Sequence, residues 1–363
     1  MSGVVAAVLR TPGGRPQVEE IDLPAPGPGQ VRVALSATGV CHSDLSLADG
    51  TLTHAMPVVL GHEGAGRVTA VGEGVTTPAP GDPVVLNWAP PCRECWWCGH
   101  GEPWLCERAD RAWSRPYARL ADGGEVYPGL GTAAFAAETV VAADACVPLP
   151  PDMPLREAAV LGCAVLTGVG AVLNAARVGP GESVVVIGLG GVGLAALQGA
   201  RLAGADPIIA VDPVAAKEEL ARRLGATEVL TPGPDLGRRV RALTGGRGAD
   251  HAIECVGRAD TIRAAWSATR RGGHATIVGL GPKTERVAFN AVEVTHFARS
   301  LTGCFYGNTD PAVDVPRLVE HYRAGRLDLA ALITDEVPLE GVADALQRLA
   351  SGGVGARTVV RFA

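Results

Sequence analysis

The run Ser183-Val184-Val185-Val186-Ile187-Gly188-Leu189-Gly190-Gly191-Val192-Gly193, carried through a helix-like segment to Pro207-Ile208-Ile209-Ala210-Val211-Asp212, decides the fold. Val184 to Ile187 read as a buried strand, the glycines as a tight turn, and Ile208 to Val211 as a second strand that ends on an acid. Each glycine has a task in holding a dinucleotide. Gly188 makes the turn, Gly190 lets the backbone approach a pyrophosphate, and Gly193 lets the helix pack close to the strand. The backbone of Leu189, Gly191 and Val192 then surrounds the phosphates at the helix N-terminus. Asp212 stands nineteen residues beyond Gly193, where a carboxylate accepts hydrogen bonds from an adenosine ribose. A G-x-G-x-x-G arises by chance in a chain with 48 glycines, as an ordinary βαβ crossover, but the flanking strands and the acid favour the dinucleotide.

Outward from this run, helix-like and strand-like segments alternate from about Pro154 to Tyr306. Leu220, Ala221 and Leu224 form a helical stripe stopped by Gly225, and Glu228 to Leu230 follows as a strand. The spacing predicts further helix–strand units over 235–244 and 251–255, then over 260–271 and 274–278. Such alternation specifies a parallel, doubly wound sheet. The first third reads differently. Val31, Val33 and Leu35 alternate with Arg32, Ala34 and Ser36, and Arg67 to Val71 follows a glycine-rich entry, so short strands joined by turns predict an antiparallel or barrel-like domain. Two helical patterns, 313–324 and 339–350, and a strand over 357–362 close the chain.

At 363 residues with 47% hydrophobic content, two cores are expected. A net charge of −6, from 32 basic and 38 acidic residues without segregation, offers no basic patch for nucleic acid or an anionic membrane. Lysine stands only at 217 and 283, so arginine carries nearly all the positive charge. The apolar run Val4 to Leu9 is too short for a signal-peptide core, and no stretch has the length of a membrane span. These features predict a cytoplasmic protein acting on small molecules.

Four of the nine cysteines, Cys92, Cys95, Cys98 and Cys106, fall within fifteen residues at C-x2-C-x2-C-x7-C. Four thiolates this close can enclose one tetrahedral zinc with no open position, as in a structural site. An iron–sulfur cluster is the competing reading, but the bacterial ferredoxin run has a shorter last gap and a proline after its last cysteine, where Glu107 stands here. A second set is dispersed: Cys41-His42-Ser43-Asp44, Gly61-His62-Glu63-Gly64 and Gly162-Cys163. Each alone reads as readily as a core cysteine or a polar turn.

Together these motifs resemble, in order and over essentially the whole chain, the zinc-dependent medium-chain alcohol dehydrogenases. The resemblance implies an α/β protein: a GroES-like β-barrel catalytic domain over 1–164, a Rossmann NAD-binding domain over 165–305, and a return segment over 306–363 that completes the catalytic domain. It implies two zinc ions per chain, with Cys41, His62 and Cys163 as ligands of the catalytic one and a fourth position open for water or substrate. Ser43 then takes the proton of the alcohol, while Asp44 and Glu63 support the metal and its histidine. His42 and Arg357 fall where the family places cations on the pyrophosphate, and Lys217 falls beside the ribose. Thr167, Val278 and Leu280 face the cofactor. Trp88, Leu280, Phe305 and Tyr306 wall the substrate pocket, although Trp88 reads equally well as a core aromatic.

One departure stands out. Where many members have a histidine five residues after the first zinc cysteine, as terminal proton acceptor, this chain has Ser46, and His54 has no matching role. The segments 85–88, 121–124 and 305–307 look closest to the actinobacterial branch that includes mycothiol-dependent formaldehyde dehydrogenases. The expected reaction is oxidation of a bulky or aromatic primary alcohol to its aldehyde with NAD; the alternative substrate is an S-(hydroxymethyl)mycothiol adduct, with Arg111, Arg115 and Arg119 at the mouth. A rival of another class is a non-catalytic nucleotide-binding protein on the same scaffold. The segment between Cys106 and Ala133 resembles that of dimeric members, so a homodimer is expected.

Overall fold

A computed structural model describes residues 2–353 and 355–362. The chain divides into two compact units. The first comprises residues up to Cys163 together with Asp310–Glu320 and the segment from Ile333 onward; the second comprises Ala164–Thr309 and His321–Leu332. The return segment expected over 306–363 falls partly in each unit. Residues 306–309 and 321–332 belong to the second unit, where Gln198 clamps Asp328: its Oε1 accepts from the Asp328 N–H (2.6 Å) and its Nε2 donates to the Asp328 carbonyl (3.3 Å). Leu327 and Leu329 are buried.

In the first unit, Ser2–Leu9, Gln17–Leu23, Ala118–Leu120, Glu125–Pro128 and Val58–Val59 close into a small barrel. Val8, Leu9, Ile21, Leu60, Val126 and Phe135 are buried in one core cluster that this barrel shares. A second sheet is centred on Gln30–Val40, whose alternation puts Val31, Val33 and Leu35 inside as the pattern predicts. Glu63–Val71 pairs with this strand on one side and Arg357–Arg361 with its end, so that Gly39 lies opposite Glu63 and Thr358 opposite Val40. Cys41, His62 and Glu63 thus lie at the ends of adjoining strands.

The second unit is a six-stranded, all-parallel sheet. Its order, Glu228–Leu230, Ile208–Val211, Val184–Ile187, Ala249–Glu254, Thr269–Ile277, Ser300–Gly303, is that of the Rossmann fold. Val184 to Ile187 are buried, as a central parallel strand requires. The helix predicted over 260–271 spans Ala259–Ala268 instead, because Thr269 already begins the next strand. Asp250 ties two strand starts together: it accepts from Ser183 N–H (2.8 Å) and Ser183 Oγ (2.6 Å), and from Arg270. Among the described residues no single helix is long and apolar enough to cross a membrane.

Candidate metal and cofactor sites

Cys41 caps the short helix His42–Ala48 at the end of the central strand of the first unit. Asp44, one turn into that helix and almost fully buried, organises what surrounds it. Its Oδ2 accepts from the Cys41 N–H (3.0 Å), and its Oδ1 accepts from the Gly61 N–H (3.0 Å) and from His62 Nδ1 (2.9 Å). Gly61 has φ +91, and a side chain there would meet the Phe135 backbone at 2.5 Å, so glycine is required where the chain turns into His62. Cys163 arrives from a different segment. Gly162 before it lies so close to the Leu86 carbonyl that a Cβ would come within 2.8 Å. One ligand atom from each of Cys41, His62, Glu63 and Cys163 lies within 4.8 Å of the others, and all four residues are buried.

Zinc fits this set. With Nδ1 donating to Asp44, the His62 Nε2 is left without a hydrogen-bond partner in a residue of zero exposure, and an imidazole lone pair beside two sulfurs is a zinc donor set. The hydrogen bond to Cys163 holds the Cys41 thiol well below its usual range, against burial, which favours the thiolate that binds metal. Burial pushes the Glu63 carboxyl up to about 8, against the pull of Arg357. Arg357, expected on the pyrophosphate, has a buried guanidinium: Nη1 donates to the Val40 carbonyl (2.9 Å) and Nη2 stands 3.1 Å from Glu63 Oε1. Gly39 makes room for this pair, since a Cβ there would lie 2.0 Å from Glu63 Oε2. Ser43 is half-buried with Oγ 4.0 Å from Cys41 Sγ, and His42 is exposed.

The four-cysteine loop closes on itself. Cys95 Sγ lies 3.6 Å from Cys98 Sγ and 3.9 Å from Cys106 Sγ. Tetrahedral zinc with sulfurs at its usual bond length sets them about 3.8 Å apart. Backbone N–H groups of Cys92 and Arg108 donate to Cys106 Sγ (3.2 and 3.4 Å), and that of Cys95 to Cys92 Sγ (3.3 Å), which stabilises thiolate charge. Among the described residues no histidine, aspartate or glutamate joins this ligand set, and all nine cysteines are free.

In the second unit the glycine turn has the shape its spacing predicts. Gly188 has φ +91; a Cβ on Gly193 would strike the Gly188 carbonyl at 1.8 Å; and Gly190, which caps the helix Gly191–Ala203, has open space where a Cβ would be. Asp212 Oδ2 accepts from Leu189 N–H (2.7 Å) and Lys217 Nζ (3.2 Å), and Oδ1 from Val214 N–H (2.9 Å). Val192 and Gly191 lie in the first turn of that helix. Thr167 is buried in Ala164–Gly170, Val278 follows the fifth strand in sheet order, and Leu280 beyond it is exposed.

Aromatic rings lead away from the metal cluster within the first unit. Trp88 meets His62 edge-on at 6.2 Å, Trp113 lies 6.4 Å from Trp88, and His54 stacks on Trp113 at 6.2 Å. Trp113 went unassigned in the sequence and His54 had no role there, because neither sits in a periodic pattern or a motif. Of the other expected wall residues, Phe305 is exposed and Tyr306 is buried within the second unit. Arg111 is not free for a ligand: it pairs with Asp144 and donates to the carbonyls of Pro90 (3.3 Å) and Arg108 (3.2 Å).

Comparison with known proteins agrees with this geometry. Residues 27–151 match the alcohol dehydrogenase GroES-like domain, and residues 191–322 match the zinc-binding dehydrogenase family. The chain is 36% identical to an S-(hydroxymethyl)glutathione dehydrogenase of Escherichia coli, over 98% of this chain and 99% of that protein. Among solved structures it is similar to an alcohol dehydrogenase zinc-binding domain protein from Burkholderia ambifaria (TM-score 0.94, 32% identity, covering 100% of this chain and 99% of the other). It is also similar to benzyl alcohol dehydrogenase from Acinetobacter calcoaceticus (TM-score 0.92, 29% identity, 100% of both chains). A non-catalytic protein on this scaffold is thereby set aside: the chain belongs to the zinc-dependent medium-chain alcohol dehydrogenases and is an enzyme of that family.

Proposed function

We propose that this enzyme interconverts bulky or aromatic primary alcohols and their aldehydes with NAD. The observation that carries this reading is the row of rings from His62 through Trp88 and Trp113 to His54. Edge-to-face and offset contacts favour an aromatic substrate body beyond area burial alone. Similarity to a benzyl alcohol dehydrogenase supports the same class.

When bound, zinc lowers the pKa of the alcohol hydroxyl and NAD takes up the hydride. Cys41, His62 and Cys163 hold the ion, and the two thiolates offset its charge. Asp44 fixes the tautomer of His62 and aims Nε2 into the cluster. Ser43 receives the substrate proton. With Ser46 in place of an imidazole, position 46 would offer no basic nitrogen to that proton, which would leave Ser43 toward water. Arg357 stands against Glu63 behind the ligands. Pyrophosphate binds the N-terminus of Gly191–Ala203. NAD is favoured over NADP because Asp212 repels a 2′-phosphate, and Lys217, the cation nearest in sequence, is already engaged by that carboxylate.

A second reading, dehydrogenation of an S-(hydroxymethyl) adduct of a carrier thiol such as mycothiol, is favoured by the similarity to S-(hydroxymethyl)glutathione dehydrogenase. It is weakened at the arginines meant to meet the carrier's carboxylates. Arg111 is bound to Asp144, and Arg119 donates to the Gly123 carbonyl and lies beside Glu125. Steady-state kinetics separate the two. Benzyl-type and long-chain alcohols should turn over without thiol, with kcat/KM for NAD exceeding that for NADP by more than about tenfold. Turnover of formaldehyde only with mycothiol present, and none on the alcohols, would transfer the assignment to the thiol adduct.

A further inference from the structure

Glu254 closes the central strand Ala249–Glu254 of the second unit and faces neither solvent nor a metal. In register it lies between Ile187 on one side and Ile277 on the other. Three chain segments therefore leave the sheet at one level: the glycine turn from Gly188, the segment from Cys255, and the segment from Val278. In doubly wound sheets this carboxyl edge is where a dinucleotide lies.

The carboxylate is used unevenly. Oε1 accepts three hydrogen bonds, from Val256 N–H (2.9 Å), Gly257 N–H (2.8 Å) and Thr261 Oγ1 (2.7 Å), while Oε2 is buried with no hydrogen-bond partner. The segment it holds is wedged between the other two. Gly257 (φ +86) has backbone so near Gly279 and Gly281 that a Cβ on Gly279 would lie 2.1 Å from Gly257 N, and one on Gly281 would lie 2.0 Å from Gly257 O. On the other flank Val256 Cγ2 packs over Gly188, 2.5 Å from where a Cβ would stand. Moving Val256 or Gly257 thus moves the first glycine of the cofactor turn and the 278–281 segment with it.

We propose that Glu254 is a positioning residue for the dinucleotide: its Oε1, by gathering Val256, Gly257 and Thr261, sets the wall that Gly188 and residues 278–281 present to the cofactor. This rests on the NAD reading above. The half-paired, buried carboxyl, pushed upward by burial, is a costly way to brace a loop, and it needs only its accepting oxygen to do so. The side-chain oxygen of glutamine can replace it, whereas alanine cannot.

The test is a fluorescence titration with NADH on folded, zinc-loaded protein. Glu254→Ala should weaken the Kd for NADH by about tenfold or more, and Glu254→Gln should stay within about threefold of wild type. Thr261→Val, which removes one of the three donors, should fall between them, and it carries the test if Glu254→Ala does not fold. A role confined to stability would lower the melting temperature but leave Kd unchanged in the folded protein. Wild-type Kd in both Glu254→Ala and Thr261→Val, or equal losses in Glu254→Gln and Glu254→Ala, would overturn the proposal. Failure of the wild type to bind NADH or NADPH would remove the cofactor reading and this proposal with it. Hydrogen exchange gives a second readout: NADH should slow the Val256 and Gly257 amides in wild type but not in Glu254→Ala.

Discussion

The candidate cofactor cradle lies on one continuous run from Ser183 to Asp212, built largely from backbone N–H groups and glycines that must lack a Cβ. The metal cluster of the first unit gathers Cys41, His62, Glu63, Cys163 and Arg357 from across more than three hundred residues, and what it contributes is buried side chains. A backbone site is forgiving of most side-chain changes and intolerant of a few glycine replacements. A cluster of buried ionisable groups is the reverse: each member neutralises another, so removing one exposes the rest to an apolar interior. The four-cysteine loop lies between these cases, with side-chain ligands but local spacing.

The sharpest way to break this contrast is to remove one sulfur from each cysteine site. Cys163→Ser should lose one zinc per chain and reduce kcat by on the order of 10³-fold or more, the equivalent of several kcal/mol of transition-state stabilisation, with a smaller fall in melting temperature than a change at the four-cysteine loop. Cys106→Ser should lose the other ion and lower the melting temperature, since a closed structural site contributes folding energy. Metal analysis with thermal unfolding checks both, and a wild type holding a single ion would end the two-site description. Next in size is Ser43. Its replacement by alanine should lower kcat by about 10²–10⁴, whereas Ser46→Ala should stay close to wild type, because no imidazole is there to lose. A large loss at Ser46 in the same pre-steady-state assay would contradict the shortened relay.

What was legible in the sequence follows the same division. The glycine turn, the parallel sheet and the four-cysteine loop are written in short-range spacing, where strand and turn periodicities and ligand geometry act directly. Cys41, His62 and Cys163 carry no such spacing and were reachable only through the joint resemblance of several motifs. The partners of Arg357 are set by tertiary pairing: it reaches back 317 residues to the Val40 carbonyl, a contact no local pattern announces. The division of the return segment between the units is hidden in the same way, since Gln198 holds Asp328 from 130 residues away. Trp113 and His54 gave no periodic signal, and Glu254 lay inside the strand read over 251–255 with no motif to mark it.

The Glu63–Arg357 pair sharpens the contrast further. At pH 9, above the Glu63 pKa of about 8, Arg357→Leu leaves a carboxylate with zero exposure beside two sulfurs, and urea unfolding should show a loss of about 3–5 kcal/mol. Adding Glu63→Gln to that variant should recover much of it at that pH, because the uncompensated charge is gone; if the double variant is no better than the single, the pair is not the source of the loss.

The smallest effect belongs to the second unit, at Asp250, which sits at the far ends of the strands from the glycine turn. Burial raises the Asp250 pKa, but hydrogen bonds from Ser183 and the ion pair with Arg270 outweigh it and hold the carboxyl at about 2. A carboxyl whose folded pKa lies below its unfolded value of about 3.9 stabilises the fold above that value. The contribution fades as pH falls from about 4 toward 2, once the folded form too takes up the proton. The carboxylate and its arginine are about a quarter and a third exposed, so solvent screening reduces the effect to about 1 kcal/mol. Asp250→Asn should therefore lower stability by about that much at pH 7 and flatten its acid dependence between pH 4 and 2. Urea midpoints across that range measure it, and a variant whose stability falls with acid as steeply as the wild type would show that Asp250 is not the group being titrated.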